Sequence, residues 1–336
     1  MKTTHKVLFK SSISMDEIES GSINLVVTSP PYPMIKMWDK MFCKQNTKID
    51  KALQEKNGAA AFELMHRELD KVWKECYRVF KPGGILCINV GDATRKIANN
   101  FQLYSSHSRI LNYCRSINFH NLPNIIWRKT TNAPNKFMGS GMYPPGAYVT
   151  LEHEHILIFR KGEIRKFNPK EEKQKREQSA FFWEERNRWF SDVWTDITGI
   201  AQNINDKDLR KRSAAFPFEL VYRLINMFSV IDDVVLDPFM GTGTTMAAAA
   251  VCQRNSIGYE IEKSLQKTIS KWINNIKHLN EERLKERIVT HRYFIKQRRK
   301  GNKETKYRNE NYNFPCISKQ ETKMKFSRIV SVNKKE

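Results

Sequence analysis

Asn24-Leu25-Val26-Val27-Thr28-Ser29-Pro30-Pro31-Tyr32-Pro33 is a β-branched, apolar run that stops at two consecutive prolines. Neither proline has an N–H to donate to a sheet ladder, so a strand ends there and the chain turns. Proline also fixes its own φ and biases the preceding residue to extended geometry. Ser29 and the Pro30 carbonyl are thereby held nearly rigid beyond the strand's C-terminal end. In open α/β sheets ligands bind at that edge. A fixed hydroxyl, a carbonyl with no local N–H and the aromatic face of Tyr32 suit a planar guest carrying an exocyclic amine. A strand-ending turn with no further role uses the same residues, so the reading needs support from elsewhere.

That support lies near the other end of the chain, in Leu236-Asp237-Pro238-Phe239-Met240-Gly241-Thr242-Gly243-Thr244-Thr245. A strand over 234–236 precedes it, and a helix over 244–252 departs from it. Gly241 and Gly243 let the backbone approach a ligand with no Cβ in the way, and the helix's free N–H groups face the same spot. A GxG alone is common in turns. A second strand, over 256–259, ends at Glu260, about 17 residues further on, the spacing at which a carboxylate grips ribose hydroxyls in dinucleotide-type folds. No third glycine stands at the Rossmann position and no Walker lysine follows, which favours an adenosine cofactor over a pyrophosphate.

TSPPY (28–32) and DPFMGTGTT (237–245) together resemble the signatures of the S-adenosylmethionine-dependent DNA amino-methyltransferases, a (D/N/S)PP(Y/F/W) catalytic motif and an FxGxG cofactor motif. Catalytic motif first and cofactor motif last resembles the β class of that family. The likeness spans roughly residues 5–275 and extends to KPGG (81–84), the IIWRK strand near 125–129 and the HEHILIF strand near 153–159. It implies an α/β fold with a Rossmann-like, seven-stranded, mostly parallel sheet in permuted order and a small inserted recognition region. S-adenosyl-L-methionine is the implied cofactor, double-stranded DNA the substrate, and a cognate restriction endonuclease the partner in restriction-modification style.

Carried over by motif, the catalytic residues are Ser29, Pro30, Pro31 and Tyr32. The cofactor-binding residues are Asp237, Pro238, Phe239, Gly241, Gly243, Thr244 and Glu260, with Phe216 packing beside the methionine end. Residues 1–161 then form the catalytic half, 162–212 a target-recognition region, 213–280 the cofactor half and 281–336 a basic extension. The loop over 132–146, dense in turn formers, borders the pocket for an extruded base in the resembled family.

Serine at the first motif position goes mainly with cytosine N4 in that family, and aspartate or asparagine mainly with adenine N6. Cytosine N4 is therefore the first choice and adenine N6 the runner-up. Methylation of protein glutamine, by Asn-Pro-Pro-Tyr relatives, is disfavoured by the serine, the motif order and the charge. A non-catalytic nucleic-acid-binding protein on the same fold is the reading from another class; the proline turn, both glycines and Glu260 speak against it. An aromatic exocyclic amine is a poor nucleophile because its lone pair is delocalised, so a site must localise that pair. Neither a metal nor a cysteine nucleophile is required.

The composition fits this picture. A chain of 336 residues accommodates one large α/β domain and a smaller module. The net charge of +22 favours a polyanionic partner. Six cysteines without a CxxC pair read as reduced, mostly buried thiols. The start of the chain lacks a signal-peptide core and no stretch reaches membrane-span length, so a cytoplasmic protein is expected.

Other stretches leave alternatives open. Met34 to Asp39 would wall a base pocket or simply pack, with a polar insert over 43–58 behind it. A helix is expected over 59–80, a strand over 85–90, and a further helix over 102–117. Asp92 reads as a cap for the next segment or as a contact to cofactor or substrate. His153 and His155 bracket Glu154, but two histidines supply only two metal ligands. Phe181 to Trp194 interleaves aromatics with Arg186, Asn187 and Arg188, which suits base reading and equally suits a small core under a charged face. After a helix expected over 263–287 the chain reads as a solvated basic tail. From Lys263 on, about 21 Lys and Arg stand against about 7 acidic residues, suited to phosphate contacts that raise affinity without reading sequence.

Overall fold

The computed structural model describes residues 2–129, 138–198 and 216–334. Parts of the long loop (132–137) and of the segment leading into Phe216 (211–215) lie outside them. In chain order the strands of the first half are β1 (His5–Leu8), β2 (Ile23–Thr28), β3 (Phe80–Val90), β4 (Ala93–Ile97), β5 (Asn100–Tyr104), β6 (Phe119–Asn121) and β7 (Ile125–Arg128). Then follow β8 (Met138–Gly139), β9 (Ala147–Tyr148), β10 (His153–Lys161), β11 (Val193–Trp194), β12 (Val234–Asp237), β13 (Asn255–Tyr259), β14 (Tyr307–Arg308) and β15 (Pro315–Cys316).

Nine of these form one sheet in the order β1-β13-β12-β2-β3-β10-β7-β11, with β6 paired to β10. The stretch from β1 to β3 is parallel throughout, and β10 turns antiparallel between β3 and β7. Seven strands match the number expected; β6 and β11 are three- and two-residue additions at the antiparallel end. Alternate side chains feed opposite cores, as strand geometry demands. Ile23 and Val26 of β2 join Leu86, Ile88 and Leu157 under the helix Gly58–Val79. Leu25 and Val27 join Cys87, Ile156 and Val235 under the helices Phe218–Phe228 and Thr244–Val251.

The two halves of the chain meet where β12 lies parallel to β2, pairing Val235 with Leu25 and Leu236 with Val26. Chain order reverses at this seam, since β12 leads outward to β13 and β2 to β3; such a switch point opens a crevice at the carboxyl ends of the strands. One side chain stitches it. Asp237 is 2% exposed; it accepts hydrogen bonds from Thr28 Oγ1 (2.7 Å), Thr245 Oγ1 (2.6 Å) and the Phe239 amide (3.1 Å).

Several local expectations differ from the structure. Met15 to Glu19, a short stretch from which one helical turn is expected, forms a plain turn closed by the Ile18 amide on the Met15 carbonyl. The polar insert carries two short helices, Asp39–Gln45 and Thr47–Gln54. The helix expected over 102–117 begins only at Ser106, because residues 93–104 form the β4–β5 hairpin. Lys161 to Arg176, charged and without apolar periodicity and so expected as loop, contains most of the helix Lys170–Gln178.

The largest difference is in the basic tail. The helix Gln266–Lys300 runs 35 residues, and the chain beyond it packs back rather than staying solvated. Phe314 and Phe326 meet Phe182 (ring centroids 5.5 and 5.9 Å), and Met324, Cys316 and Glu321 are buried. Arg287 pairs with both oxygens of Glu185 (2.6 and 2.7 Å). His291 presents its two ring nitrogens to Glu184 Oε1 and the Pro315 carbonyl, each at 2.8 Å. Burial pulls this imidazole down, but the two acceptors outweigh it and hold it above its ordinary pKa. None of the described helices is long and apolar enough to cross a membrane.

Burial pushes the Asp237 carboxyl up to about 6 against the opposing hydrogen bonds. The folded state therefore keeps this proton to higher pH than the unfolded chain, whose aspartate titrates near 3.8. Its contribution to stability is greatest below that value and declines as pH rises toward 6, by about 3 kcal/mol in all. Asp237→Asn keeps the shape and removes the titration. Urea unfolding of both proteins between pH 4 and 7 is expected to show the variant gaining on the wild type with rising pH; parallel curves would exclude this assignment.

Candidate active site

Beyond the seam the carboxyl ends of β2, β12 and β13 enclose a cavity of about 450 Å³. From the first motif, Ser29, Pro30, Pro31 and Tyr32 line it. From the second half, Phe216, Pro238, Phe239, Gly241, Thr244 and Glu260 line the same space. Two segments some 200 residues apart thus face one chamber, and the Thr28–Asp237 hydrogen bond fixes their spacing.

Two residues expected at the cofactor are not on its walls. Asp237 lies beneath them as the buried stitch, since a short carboxylate at the strand's end reaches the neighbouring threonines rather than the cavity. Gly243 supports the turn from behind. Its φ is +90° and it precedes the helix Thr244–Val251. A Cβ there would sit 3.2 Å from Met240 Cε, so the αL conformation and the close packing both call for glycine.

Gly241, at φ +53°, has open space where a side chain would stand, with the Phe239 carbonyl 4.0 Å away. Glu260 accepts the amides of Gly241 (Oε2, 2.8 Å) and Glu262 (Oε1, 2.8 Å). These bonds hold the carboxylate at the end of β13 and leave acceptor positions on both oxygens. Burial raises its pKa. An adenosyl cofactor fits this donor set. The bare backbone at Gly241 admits close approach, Glu260 offers acceptors for ribose hydroxyls, and Phe216 and Phe239 add apolar walls.

At the proline-turn edge of the cavity, Ser29 Oγ lies 3.0 Å from Tyr32 Oη. Tyr32 is tied further, with its Oη 3.0 Å from Glu154 Oε2 and accepting Asn89 Nδ2 at 3.0 Å. Glu154 also receives Asn89 Nδ2 (2.6 Å) and Lys129 Nζ (2.8 Å). Burial, with the Glu154 charge adding, holds the tyrosine pKa well above its usual value. No donor among the described residues reaches the Pro30 carbonyl. The following loop is pinned: Met34 is buried with φ +67°, and Arg95 grips both oxygens of Asp39 at 2.7 Å. A non-glycine residue in that region is strained and persists because its surroundings over-determine it.

Met37 and Trp38 do wall the cavity, while Met34 packs, so both readings of that stretch hold in part. The walls the sequence did not reveal include Ser12 and Ile13 after β1, and Leu69 and Val72 on the helix Gly58–Val79. The helical residues are core positions by periodicity, and nothing in their spacing separates a cavity wall from packing. Asn89, Lys129 and Glu154 were missed as a set because three separate strand ends supply them.

His155 gains neighbours that its sequence context does not show. Asp92 and His107 bring their ligand atoms within 4.8 Å of one another and of His155. The His107 and His155 rings stack at 3.9 Å and 20°, which sets their in-plane lone pairs side by side rather than converging. Asp92 does not cap the segment that follows it, which is β4; its carboxylate reaches past the hairpin to the first turn of the helix Ser106–Ser116, accepting the His107 amide (3.1 Å) and pairing with His107 Nδ1 (2.7 Å). Burial, then the neighbouring His107, lowers the His155 pKa to about 4.

In the aromatic segment Phe182, Trp189 and Trp194 are buried, with Trp194 Nε1 donating to the Trp189 carbonyl (3.0 Å). Arg186, Asn187 and Arg188 are exposed on the other face of the helix Trp183–Trp189.

Comparison with known proteins agrees with this geometry. The DNA methylase family model for N6 and N4 methyltransferases matches residues 23–271. The Type II methyltransferase M.MthZI of Methanothermobacter thermautotrophicus is 55% identical over 322 residues, covering 96% of this chain and 89% of that protein. M.MjaI of Methanocaldococcus jannaschii, also a Type II methyltransferase, is 51% identical over 282 residues, 81% of this chain and 91% of its own. TTHA0409 of Thermus thermophilus, assigned as a DNA modification methylase and solved with S-adenosyl-L-methionine, is 32% identical with a TM-score of 0.62. The match covers 81% of this chain and 95% of that one. The chain belongs to the N6/N4 amino-methyltransferase family of DNA methylases, enzymes that methylate DNA from S-adenosyl-L-methionine.

Proposed function

We propose that the protein methylates the exocyclic N4 of cytosine within a recognised sequence of double-stranded DNA, with Ser29, Pro30 and Tyr32 at the reacting amine. The carrying observation is that the two remote motifs line one cavity whose catalytic edge presents a serine hydroxyl, where a carboxylate or amide would go with adenine N6. Phe216, Phe239, Gly241, Thr244 and Glu260 hold the cofactor in this reading. The bound cofactor supplies an electrophilic sulfonium methyl group.

Ser29 Oγ and the Pro30 carbonyl accept the two amine hydrogens. The nitrogen then becomes more tetrahedral and its lone pair leaves the ring, which orients it for in-line attack. The Tyr32 ring places π density near the positive charge that develops on nitrogen. Because the amine is inaccessible inside a duplex, the base enters the cavity extruded from the stack. Arg186, Asn187 and Arg188 suit recognition of base edges, arginine for guanine and asparagine for adenine. The Type II relatives support a restriction-modification setting with a cognate endonuclease.

Incubation with unmethylated genomic DNA and methyl-labelled S-adenosyl-L-methionine, followed by nucleoside mass spectrometry, is expected to yield N4-methylcytosine. N6-methyladenine alone would overturn the choice of base. Ser29→Ala is expected to lower the transfer rate by about 10²-fold, the scale for losing one preorganised hydrogen bond at a reacting centre, with cofactor affinity retained.

Replacing Arg186, Asn187 and Arg188 together by alanine is expected to abolish site preference in single-molecule sequencing of treated DNA. Cofactor binding and melting temperature should stay near wild type, because the three side chains are exposed. An unchanged methylation pattern would remove this segment from recognition.

A further inference from the structure

We propose that Glu154 is a positioning residue that sets the direction of the hydroxyl hydrogen bonds at the reacting centre, so that Ser29 meets the target amine with lone pairs only. The inference rests on the amine-transfer reading and adds what enforces it.

Glu154 is the second residue of β10 and is 6% exposed. Its Oε1 receives Lys129 Nζ at 2.8 Å, which supplies the compensating charge. Its Oε2 receives Asn89 Nδ2 at 2.6 Å and lies 3.0 Å from Tyr32 Oη. An ionised carboxylate has no proton to give, so the single tyrosine O–H donates to it. The competing acceptor, the Asn89 carbonyl, is neutral and farther away at 3.5 Å, so Tyr32 Oη is only an acceptor toward Asn89 Nδ2 and Ser29 Oγ, each at 3.0 Å. The serine proton therefore points at tyrosine, and both serine lone pairs remain for the amine hydrogens.

Burial keeps the tyrosine protonated throughout the working pH range, so the relay holds one polarity. Packing holds its geometry. A Cβ on Gly91 would come within 3.0 Å of Tyr32 Cε2 and 3.4 Å of Glu154 Cγ, so ring and carboxylate lie close against bare backbone. Without this polarity a serine hydroxyl facing an amine turns its proton inward, where it opposes the amine hydrogens or binds the lone pair needed for attack.

Glu154→Gln tests the polarity with little change of shape. Lys129 draws the amide oxygen, leaving the amide N–H groups toward Tyr32. Tyrosine then donates to Ser29, and the serine proton turns into the cavity. The single-turnover rate, measured with labelled S-adenosyl-L-methionine and unmethylated genomic DNA, is expected to fall about 10²-fold. Cofactor affinity by titration is expected to stay unchanged. In a Ser29→Ala background the same change is expected to cost little more, because no serine proton remains to orient.

Equal fractional losses in the wild-type and Ser29→Ala backgrounds would overturn the proposal and make Glu154 a packing residue. Tyr32→Phe keeps the ring and breaks the relay, so it tests the idea independently if Glu154→Gln binds no cofactor. A rate reduced by about tenfold or more is expected, and a wild-type rate would overturn the role of Glu154. A fully active Ser29→Ala protein would instead overturn the amine-transfer reading on which both rest.

Discussion

The hydrogen bond from Thr28 to Asp237 holds the two ends of the sequence in one site, and the bond from Thr245 steadies the same carboxylate from its own side of the seam. β2 and β12 are short, and only two residue pairs, Val235–Leu25 and Leu236–Val26, make their ladder. Backbone pairing alone leaves the turns beyond it unregistered. The buried carboxylate adds a side-chain bond on each flank, plus one to the Phe239 amide that shapes the cofactor turn. Burying an aspartate is costly, and its raised pKa is the visible sign of that cost. What the fold gains is a fixed separation between Ser29 and the Gly241 turn, which the proposed methyl transfer requires.

The same logic explains where the sequence was readable. Strands bounded by Pro-Pro or Gly-x-Gly announce themselves, because apolar β-branched runs interrupted by residues with fixed or positive φ admit few alternatives; Gly83-Gly84 marked no such boundary, since β3 starts at Phe80 and runs through it rather than beginning at Ile85. The helix Gly58–Val79 carries a broad apolar stripe and lay within a residue of expectation at each end. The β4–β5 hairpin did not, since Thr94, Arg95 and Lys96 lack alternation and its turn places Ala98 at φ +52° without a glycine to signal it. Motif spacing likewise identified the cavity walls but not their depth. Asp237 and Phe239 are close neighbours in the motif, yet one is buried under the seam and the other faces the chamber.

Networks that close over long sequence distance were the least legible. Tyr32 and Glu154 are 122 residues apart, and Glu154 stood out in the sequence only for the histidines beside it. Its partners Asn89 and Lys129 are ordinary polar residues at the end of β3 and just beyond β7. The register of β10 against both strands brings them together, with His155 opposite Val90 and Glu154 opposite Trp127. No local pattern encodes that register, since it follows from burying alternate residues of three strands at once.

The basic tail shows the limit of composition as a guide. Charge excess and missing periodicity read as disorder, but Phe314 and Phe326 are anchors whose partners lie on another element, around Phe182 and Arg287. The helix Gln266–Lys300 is what brings them there. Near its start Ile269 packs with Met240 of the cofactor turn. Further along, Arg287 and His291 clamp Glu185 and Glu184 on the helix Trp183–Trp189, which bears the exposed Arg186, Asn187 and Arg188. At 1.5 Å per residue the interval from 269 to 291 is a rod of about 33 Å. The distance from the Gly241 turn to the aromatic segment is thus spanned by one continuous helix rather than by loops. The exposed Arg186, Asn187 and Arg188 are thereby held in a fixed relation to the cavity.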